Sequence, residues 1–177
     1  MKNSILTIAF FVTTLTSSLQ LTAQEFKSLD KSPMDMAAFP SSYKISDKIV
    51  KVIYSRPQLK GRDLVKLAPP EKVWRTGANE AVEIIFYKDV IFGGKALKAG
   101  TYSLFTIPSL EGDWTVIINS ARNVWGSYYY KQGQDVIRVS GKTTKTEENI
   151  EAFSIMFDKD MTLKMGWGKT VISVSIK

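Results

Sequence analysis

The chain has neither cysteine nor histidine among its 177 residues. Without cysteine there is no disulfide, no thiolate nucleophile and no cysteine-ligated zinc or iron–sulfur site. Without histidine there is no imidazole metal ligand, no histidine general base and no Ser–His–Asp triad. These two absences exclude most hydrolase and metalloenzyme mechanisms. We therefore predict no cofactor and no metal site, and leave any chemistry to arginine, carboxylate, amide and aromatic groups.

Long apolar runs are also scarce, and the one that stands out lies at the N-terminus over residues 5–12. Lys2 precedes it, and small residues lead from it to Ala23. A basic tip, a short apolar core and a small residue at the exit are typical of a secretory signal peptide. The core falls short of the roughly 20 apolar residues that a membrane-spanning helix needs. We predict a signal peptide over residues 1–23, no transmembrane segment, and a periplasmic or secreted location, the periplasm being favoured by the lack of disulfides.

Acidic residues are outnumbered, since 24 Lys+Arg against 17 Asp+Glu give a formal net charge of +7. The basic residues are scattered along the chain and no nucleic-acid-binding motif accompanies them. We therefore interpret the charge as a solvated basic surface and predict no nucleic-acid partner. The oligomeric state stays open.

Alternation of apolar and polar residues with a period of two runs through most of the chain and predicts strands. It is clearest over residues 50–54, 82–86, 114–118, 153–157, 161–167 and 172–176. The Gly93-Gly94 pair predicts a tight hairpin turn, because both central positions of such a turn require positive φ. Each strand has one apolar face, so two sheets must pack together or one sheet must close on itself.

We therefore predict an all-β fold, an antiparallel β-sandwich or jelly-roll-like domain of about eight to ten strands over residues 48–177. At most one short helical turn is expected, between Arg62 and Val73. Residues 24–47, which include Pro33 and Pro40, are predicted as an extended N-terminal arm.

Several apparent motifs do not support a function. The segments 141–143 and 168–170 both read Gly-Lys-Thr, but each lacks the first glycine of a phosphate-binding loop and is interpreted as a turn at a strand edge. Glu147 and Glu148 are assigned to a polar loop. Asp158 and Asp160 are assigned to a solvated turn, because no further acidic calcium ligands lie nearby in the sequence.

One segment of 28 residues, 54–81, concentrates groups suited to binding. Arginine pairs bidentately with carboxylates or phosphates, and aromatic faces stack on sugar rings or cations. We predict a small polar or carbohydrate ligand, or an envelope component. Arginines would hold its anionic or hydroxyl groups, Tyr54 or Trp74 would stack, and Asn79 and Glu80 would orient it. The candidate ligand-binding residues are Tyr54, Arg56, Arg62, Trp74, Arg75, Asn79 and Glu80.

Three alternatives stay open at this point. The arginines and Glu80 could simply pair and lock strand ends together. A carboxylate-based, glycosidase-like hydrolase would need two carboxyl groups about 5–10 Å apart in one cleft. Glu80 with Asp135 or Asp89 is the pairing that the sequence offers, although we assign no catalytic residue. The third alternative is a purely structural or assembly module.

Two strings in this region carry a family resemblance: Tyr-Ser-Arg-Pro at 54–57 and Val-Trp-Arg-Thr-Gly-Ala-Asn-Glu-Ala at 73–81. With them, and with Gly-Gly-Lys at 93–95 and Ala-Gly-Thr-Tyr-Ser-Leu at 99–104, the chain resembles the bacterial domain-of-unknown-function 2911 family, frequent among Bacteroidetes. The resemblance implies a secreted or envelope protein and supplies no activity. The segment between Arg62 and Trp74 departs from the Gly-Gly and Tyr-Gly pattern that members often carry there.

Overall fold

The computed structural model describes residues 26–177, so the predicted signal peptide lies outside the described residues. Within that range the chain forms nine strands, one α-helical turn and one 3-10 turn. In chain order they are β1 (Met34–Phe39), β2 (Val50–Ser55), α1 (Leu64–Leu67), β3 (Val82–Phe86), β4 (Val90–Phe92), β5 (Lys95–Leu97), β6 (Gly100–Ile107), β7 (Trp114–Asn119), the 3-10 turn (Gln132–Gln134), β8 (Asp135–Phe157) and β9 (Leu163–Val174). The predicted all-β antiparallel fold, its number of strands and its single short α-helical turn are confirmed.

Seven strands form one antiparallel sheet in the order β1-β2-β3-β6-β7-β8-β9, and β4 and β5 form a separate hairpin. The first part of β8 pairs with β7 and the remainder pairs with β9, with register shifts along its length. These shifts let the long strand bend, so that its end comes back to the chain that follows β2. There the Leu59 amide donates to the Glu151 carbonyl, and the Phe153 amide donates to the Pro57 carbonyl, both at 2.9 Å. The sheet is thus curled around one interior.

The interior is filled by the inward faces of the strands. Val52, Ile84, Leu104 and Val116, one residue from each of four strands, are fully buried. Each such side chain contributes roughly 1.5–3 kcal/mol on burial. An aromatic group of Trp74, Trp114, Phe153 and Trp167 lies among them, and the Trp74 and Trp167 rings stack with centroids 5.4 Å apart.

A smaller apolar cluster lies on the opposite, outer face of the same sheet. Phe105 of β6 and Ile117 of β7 are fully buried there, against Ala81 and Val124. Val124 belongs to the segment 120–134, which we call the covering loop because it packs over the outer face of β6 and β7. Tyr130 of this loop contacts Phe105, with ring centroids 5.2 Å apart. Because both faces of β6 and β7 are covered at this point, these strands are apolar on both sides.

Two local predictions were wrong. The Gly-Lys-Thr segments at 141–143 and 168–170 lie inside β8 and β9, and Glu147 and Glu148 lie in β8 rather than in a loop. Residues 142–151 of β8 are largely exposed on both faces and show no apolar alternation. Gly168 and Thr170 of β9 are buried, but neither is a large apolar residue, so no strand pattern is recognisable there either. The predicted extended arm also contains β1, which pairs residue by residue with β2 at the edge of the sheet.

Candidate functional site

The structure does not place the seven candidate residues around one shared cavity. Trp74 is 7% exposed and lies in the aromatic group of the core. Its backbone exchanges two hydrogen bonds with Thr106, at 2.7 and 3.0 Å, which fixes the ring toward the interior. The stacking role that we predicted for Trp74 does not fit this position, because no surface ligand reaches a ring packed between other rings.

Tyr54 and Arg56 join the edge of β2 to the end of β8. The Tyr54 hydroxyl accepts a hydrogen bond from the Ile155 amide at 2.9 Å and donates to the Ile155 carbonyl at 3.3 Å. Burial raises the pKa of the Tyr54 hydroxyl, so it stays neutral in this role. Arg56 donates to the Phe153 carbonyl at 3.1 Å and to the Ser154 hydroxyl at 2.7 Å, and pairs with Asp35 at 3.0 Å. These contacts are structural.

Arg62, Arg75 and Asn79 mainly hold loops in place. Arg62 donates to the Leu59 and Gln58 carbonyls at 2.9 and 2.7 Å, and so closes the turn after β2. Arg75 donates to the Asn79 carbonyl at 3.3 Å. Asn79 itself has a φ of 60°, a left-handed conformation that asparagine tolerates better than most residues. None of the three lines the same cavity as Glu80.

Glu80 does line a cavity, which lies on the outer face of the sheet and has a volume of about 230 Å³. We call it the outer-face pocket. The strand register explains its floor, because Ile53 of β2 lies opposite Glu83 of β3, and Glu83 lies opposite Ser103 of β6. The full lining is Met34, Ile53, Tyr54, Ser55, Glu80, Ala81, Glu83, Ser103 and Asn123. Strand β1 bounds it on one side and the covering loop on the other.

The pocket has several polar groups that the protein leaves free. Neither Glu80 nor Glu83 forms a side-chain hydrogen bond or ion pair with any residue in the range 26–177. Ser55 is only 5% exposed, yet its hydroxyl has no partner among these residues either. Ser103 is 3% exposed and donates to the Ala121 carbonyl at 2.8 Å, which ties the covering loop to the floor. The pocket can therefore accept hydrogen bonds from a ligand.

An exposed tryptophan, which we did not nominate from the sequence, is paired with the pocket residue Glu80. Trp125 is 53% exposed and lies opposite Glu80 in an antiparallel bridge. Residues opposite each other in such a pair place their side chains on the same side, so Trp125 is a neighbour of Glu80, although it is not itself one of the residues that line the pocket. Tyr128 and Tyr129 of the same loop are 79% and 70% exposed. The concentration of aromatic residues over 124–130 was the signal for this site in the sequence.

A partly buried polar network holds the covering loop against the sheet. The Asp135 carboxylate accepts hydrogen bonds from Tyr130 and Arg138, both at 2.6 Å, and from Asn119 at 2.8 Å. Burial and the bond to Asp135 raise the pKa of the Tyr130 hydroxyl, and the same carboxylate raises the pKa of Arg138. Asn119, which is fully buried, also donates to the Lys131 carbonyl at 3.1 Å. Both ends of the loop are thereby fixed.

The carboxylate pairs proposed for a hydrolase are not formed. Asp135 is engaged in the loop network, and Asp89 pairs with Lys98 at 2.7 Å beside the β4–β5 hairpin. A hydrogen bond from Lys98 lowers the pKa of the Asp89 carboxyl there. Neither residue lines the outer-face pocket, where Glu83 is the carboxylate found with Glu80.

Two other features of the described residues bear on the site. A second depression, of about 290 Å³, lies against the β4–β5 hairpin, but its Asp89 and Lys98 side chains already satisfy each other. Over residues 26–177 no group of three or more acidic side chains is placed to hold a metal ion. No helix in this part of the chain is long and apolar enough to cross a membrane.

Comparison with known proteins identifies a family. A family model described as "Protein of unknown function (DUF2911)" matches residues 32–176, which include every residue of the outer-face pocket and the whole covering loop. No curated protein and no solved structure matches the chain.

Proposed function

The chain belongs to the DUF2911 family, whose function is not established, and we propose that it binds a glycan through one sugar ring in the outer-face pocket. The observation that carries this proposal is the half-exposed Trp125, bridged to Glu80 of a pocket that has free carboxylate and hydroxyl groups. Indole rings pack on the apolar faces of sugars, and carboxylates accept hydrogen bonds from sugar hydroxyls. The pocket of about 230 Å³ is smaller than the roughly 300–1,000 Å³ of pockets that enclose drug-sized ligands. That volume suits one sugar ring of a longer glycan chain.

We also propose that the protein works outside the cytoplasm, in the bacterial envelope. The basic tip and short apolar core at the N-terminus support this, as does a fold built without cysteine. Expression in a bacterium, followed by fractionation and mass spectrometry of the N-terminus, tests it. We expect a periplasmic protein that begins near residue 24, and an uncleaved cytoplasmic chain would contradict the proposal.

Tryptophan fluorescence gives a direct test of glycan binding. The chain has four tryptophans, and Trp74, Trp114 and Trp167 are 7%, 5% and 3% exposed, so Trp125 is the one that an external quencher reaches. We would titrate the β-1,4-linked tetrasaccharides of glucose, N-acetylglucosamine and glucosamine while measuring quenching by acrylamide. At least one should protect Trp125 in a saturable manner.

Two variants complete this test. Trp125→Ala should abolish saturable binding, measured by calorimetry. The matched control Tyr43→Ala removes another exposed aromatic ring, 90% exposed and in the segment between β1 and β2, and should bind as the wild type does. The absence of saturable protection by all three sugars, or equal losses in the two variants, would contradict glycan binding and would favour a structural or assembly role.

A second candidate function is glycoside hydrolysis by Glu80 and Glu83. The observation in its favour is that both carboxylates line one pocket, as an acid and a base or nucleophile must. Chromatography of the same tetrasaccharides after prolonged incubation tests it. A hydrolase should release shorter products, and Glu80→Gln and Glu83→Gln should each stop their release. Binding without any product supports the binding function alone.

A further inference from the structure

We propose that the ligand of the outer-face pocket carries a protonated amine, which makes an amino sugar its preferred class. This inference rests on the proposed glycan-binding function and concerns the selectivity of the same pocket. The lining contains two carboxylates, Glu80 and Glu83, and no lysine or arginine. Among residues 26–177 neither carboxylate has an ion-pair partner, although the chain as a whole carries a formal net charge of +7.

The position of Glu83 makes this charge unusual. The register places it in the middle of the floor, between Ile53 on one neighbouring strand and Ser103 on the other. In a purely structural sheet surface, a cross-strand lysine or arginine would be the stabilising neighbour. Here the residues directly opposite the half-buried carboxylate are apolar and hydroxyl. The diagonal neighbour Lys51 places its Nζ over the Tyr87 ring, 5.9 Å from the centroid, and forms no ion pair with Glu83, so the Glu83 carboxylate is available to a ligand.

Ser55 supplies an independent indication that a ligand occupies the pocket. It lies opposite Met34 of β1 and lines the cavity, and its side chain points to the same face as that of Ile53. It is 5% exposed, and its hydroxyl has no hydrogen-bond partner among the residues that the structure describes. No side-chain nitrogen or oxygen in this range is both fully inaccessible and unpaired, so the Ser55 hydroxyl is open to the cavity. A buried polar group of this kind is expected to be satisfied by a ligand or by water.

These groups select by charge. An ammonium group donates up to three hydrogen bonds and carries a full charge, so its bonds to Glu80 and Glu83 are charge-assisted and stronger than those from a hydroxyl. An acetylated amine loses both the charge and two of its donors. An anionic sugar would be repelled by the same two carboxylates. The net positive charge of the protein does not attract cations at long range, so the preference must come from the pocket itself.

The three β-1,4-linked tetrasaccharides separate these cases, because they differ only at carbon 2 of each ring. Calorimetry at pH 6 and low salt should show the glucosamine form binding about tenfold or more tightly than the glucose and N-acetylglucosamine forms. The preference should shrink as salt is added. Glu83→Gln should reduce the preference to about twofold, and Ser55→Ala should weaken all three sugars by a similar factor. The matched control Glu147→Gln removes an equal charge from the exposed part of β8 and should leave the preference unchanged.

The outcomes are distinguishable. Binding of the glucose form as tightly as the glucosamine form, or an unchanged preference in both Glu83→Gln and Glu80→Gln, would overturn the amine inference while leaving glycan binding intact. If none of the three sugars binds, both the amine inference and the glycan-binding proposal are overturned. A thermal melt of each variant shows that it is folded, which we expect because neither glutamate has a partner in the described structure to lose.

Discussion

Arg56 joins two distant parts of the chain, and its replacement by alanine should measure how much that connection stabilises the fold. Its guanidinium contacts the Phe153 carbonyl, the Ser154 hydroxyl and Asp35. A buried hydrogen bond to a charged group contributes about 1.5–3 kcal/mol. The Arg56 side chain is 35% exposed and its Asp35 partner 42%, so screening by solvent reduces each contact to about 1 kcal/mol or less. We expect Arg56→Ala to lower the free energy of unfolding by about 2–3 kcal/mol.

Urea denaturation followed by circular dichroism measures this change, and thermal melting should show a drop of about 5–10 °C for a domain of this size. Arg122→Ala is the matched control, because Arg122 is exposed and its side chain has no hydrogen bond or ion pair within residues 26–177. This substitution should change the free energy of unfolding by no more than about 0.5 kcal/mol. A double-mutant cycle with Asp35→Ala should assign under about 1 kcal/mol to the ion pair and leave the remainder to the two contacts with β8. An unfolding midpoint for Arg56→Ala equal to that of Arg122→Ala would refute the reasoning.

Three further changes test other parts of the structure. Trp74→Ala should cost about 3–5 kcal/mol in urea denaturation, because it empties the centre of the aromatic core; a loss below 1 kcal/mol would contradict the burial of this ring. Tyr130→Phe removes the hydroxyl between Asp135 and Arg138, and hydrogen exchange should speed up over residues 120–134 while β2 and β3 stay protected. The Asp158 carboxyl has its pKa lowered chiefly by the hydrogen bond from the Thr162 amide. It therefore stabilises the fold above the ordinary pKa of 3.8, and this contribution is lost as the pH falls below that value, so Asp158→Asn should lose less stability than wild type between pH 7 and pH 3.

The strands that the sequence reveals are those with one buried face. Residues 50–54 and 82–86 alternate because one side of each strand meets the core, and both lie within the observed β2 and β3. The Gly93-Gly94 turn was also predictable, because two consecutive glycines favour a tight turn whose central residues have positive φ. The observed φ values of 54° and 85° are conformations that glycine adopts at little cost. Residues 140–150 form a strand whose faces are both largely exposed, and there the alternation on which the prediction depends is absent.

The candidate site was harder to predict because it depends on pairing between distant residues. Arg56 donates a hydrogen bond to Ser154, which lies 98 residues away in the sequence. The residues near Arg56 in the sequence therefore did not distinguish a structural arginine from a ligand-binding one. Trp74 lies beside arginine and asparagine in the sequence, but its backbone pairing with Thr106 turns the ring inward. Glu83 was not a candidate ligand-binding residue, because in the sequence it occupies an ordinary polar position of an alternating strand. Its importance comes from the register that sets it between Ile53 and Ser103.

The central claim, that the outer-face pocket binds a ligand, is tested most directly by NMR titration of the isotope-labelled protein with the glucosamine tetrasaccharide. We predict saturable shifts of the Ser55, Glu83 and Ser103 amides and of the Trp125 indole, with the β4–β5 hairpin unchanged. Shifts confined to the hairpin, or the absence of saturable shifts at a ligand concentration of several millimolar, would contradict the claim.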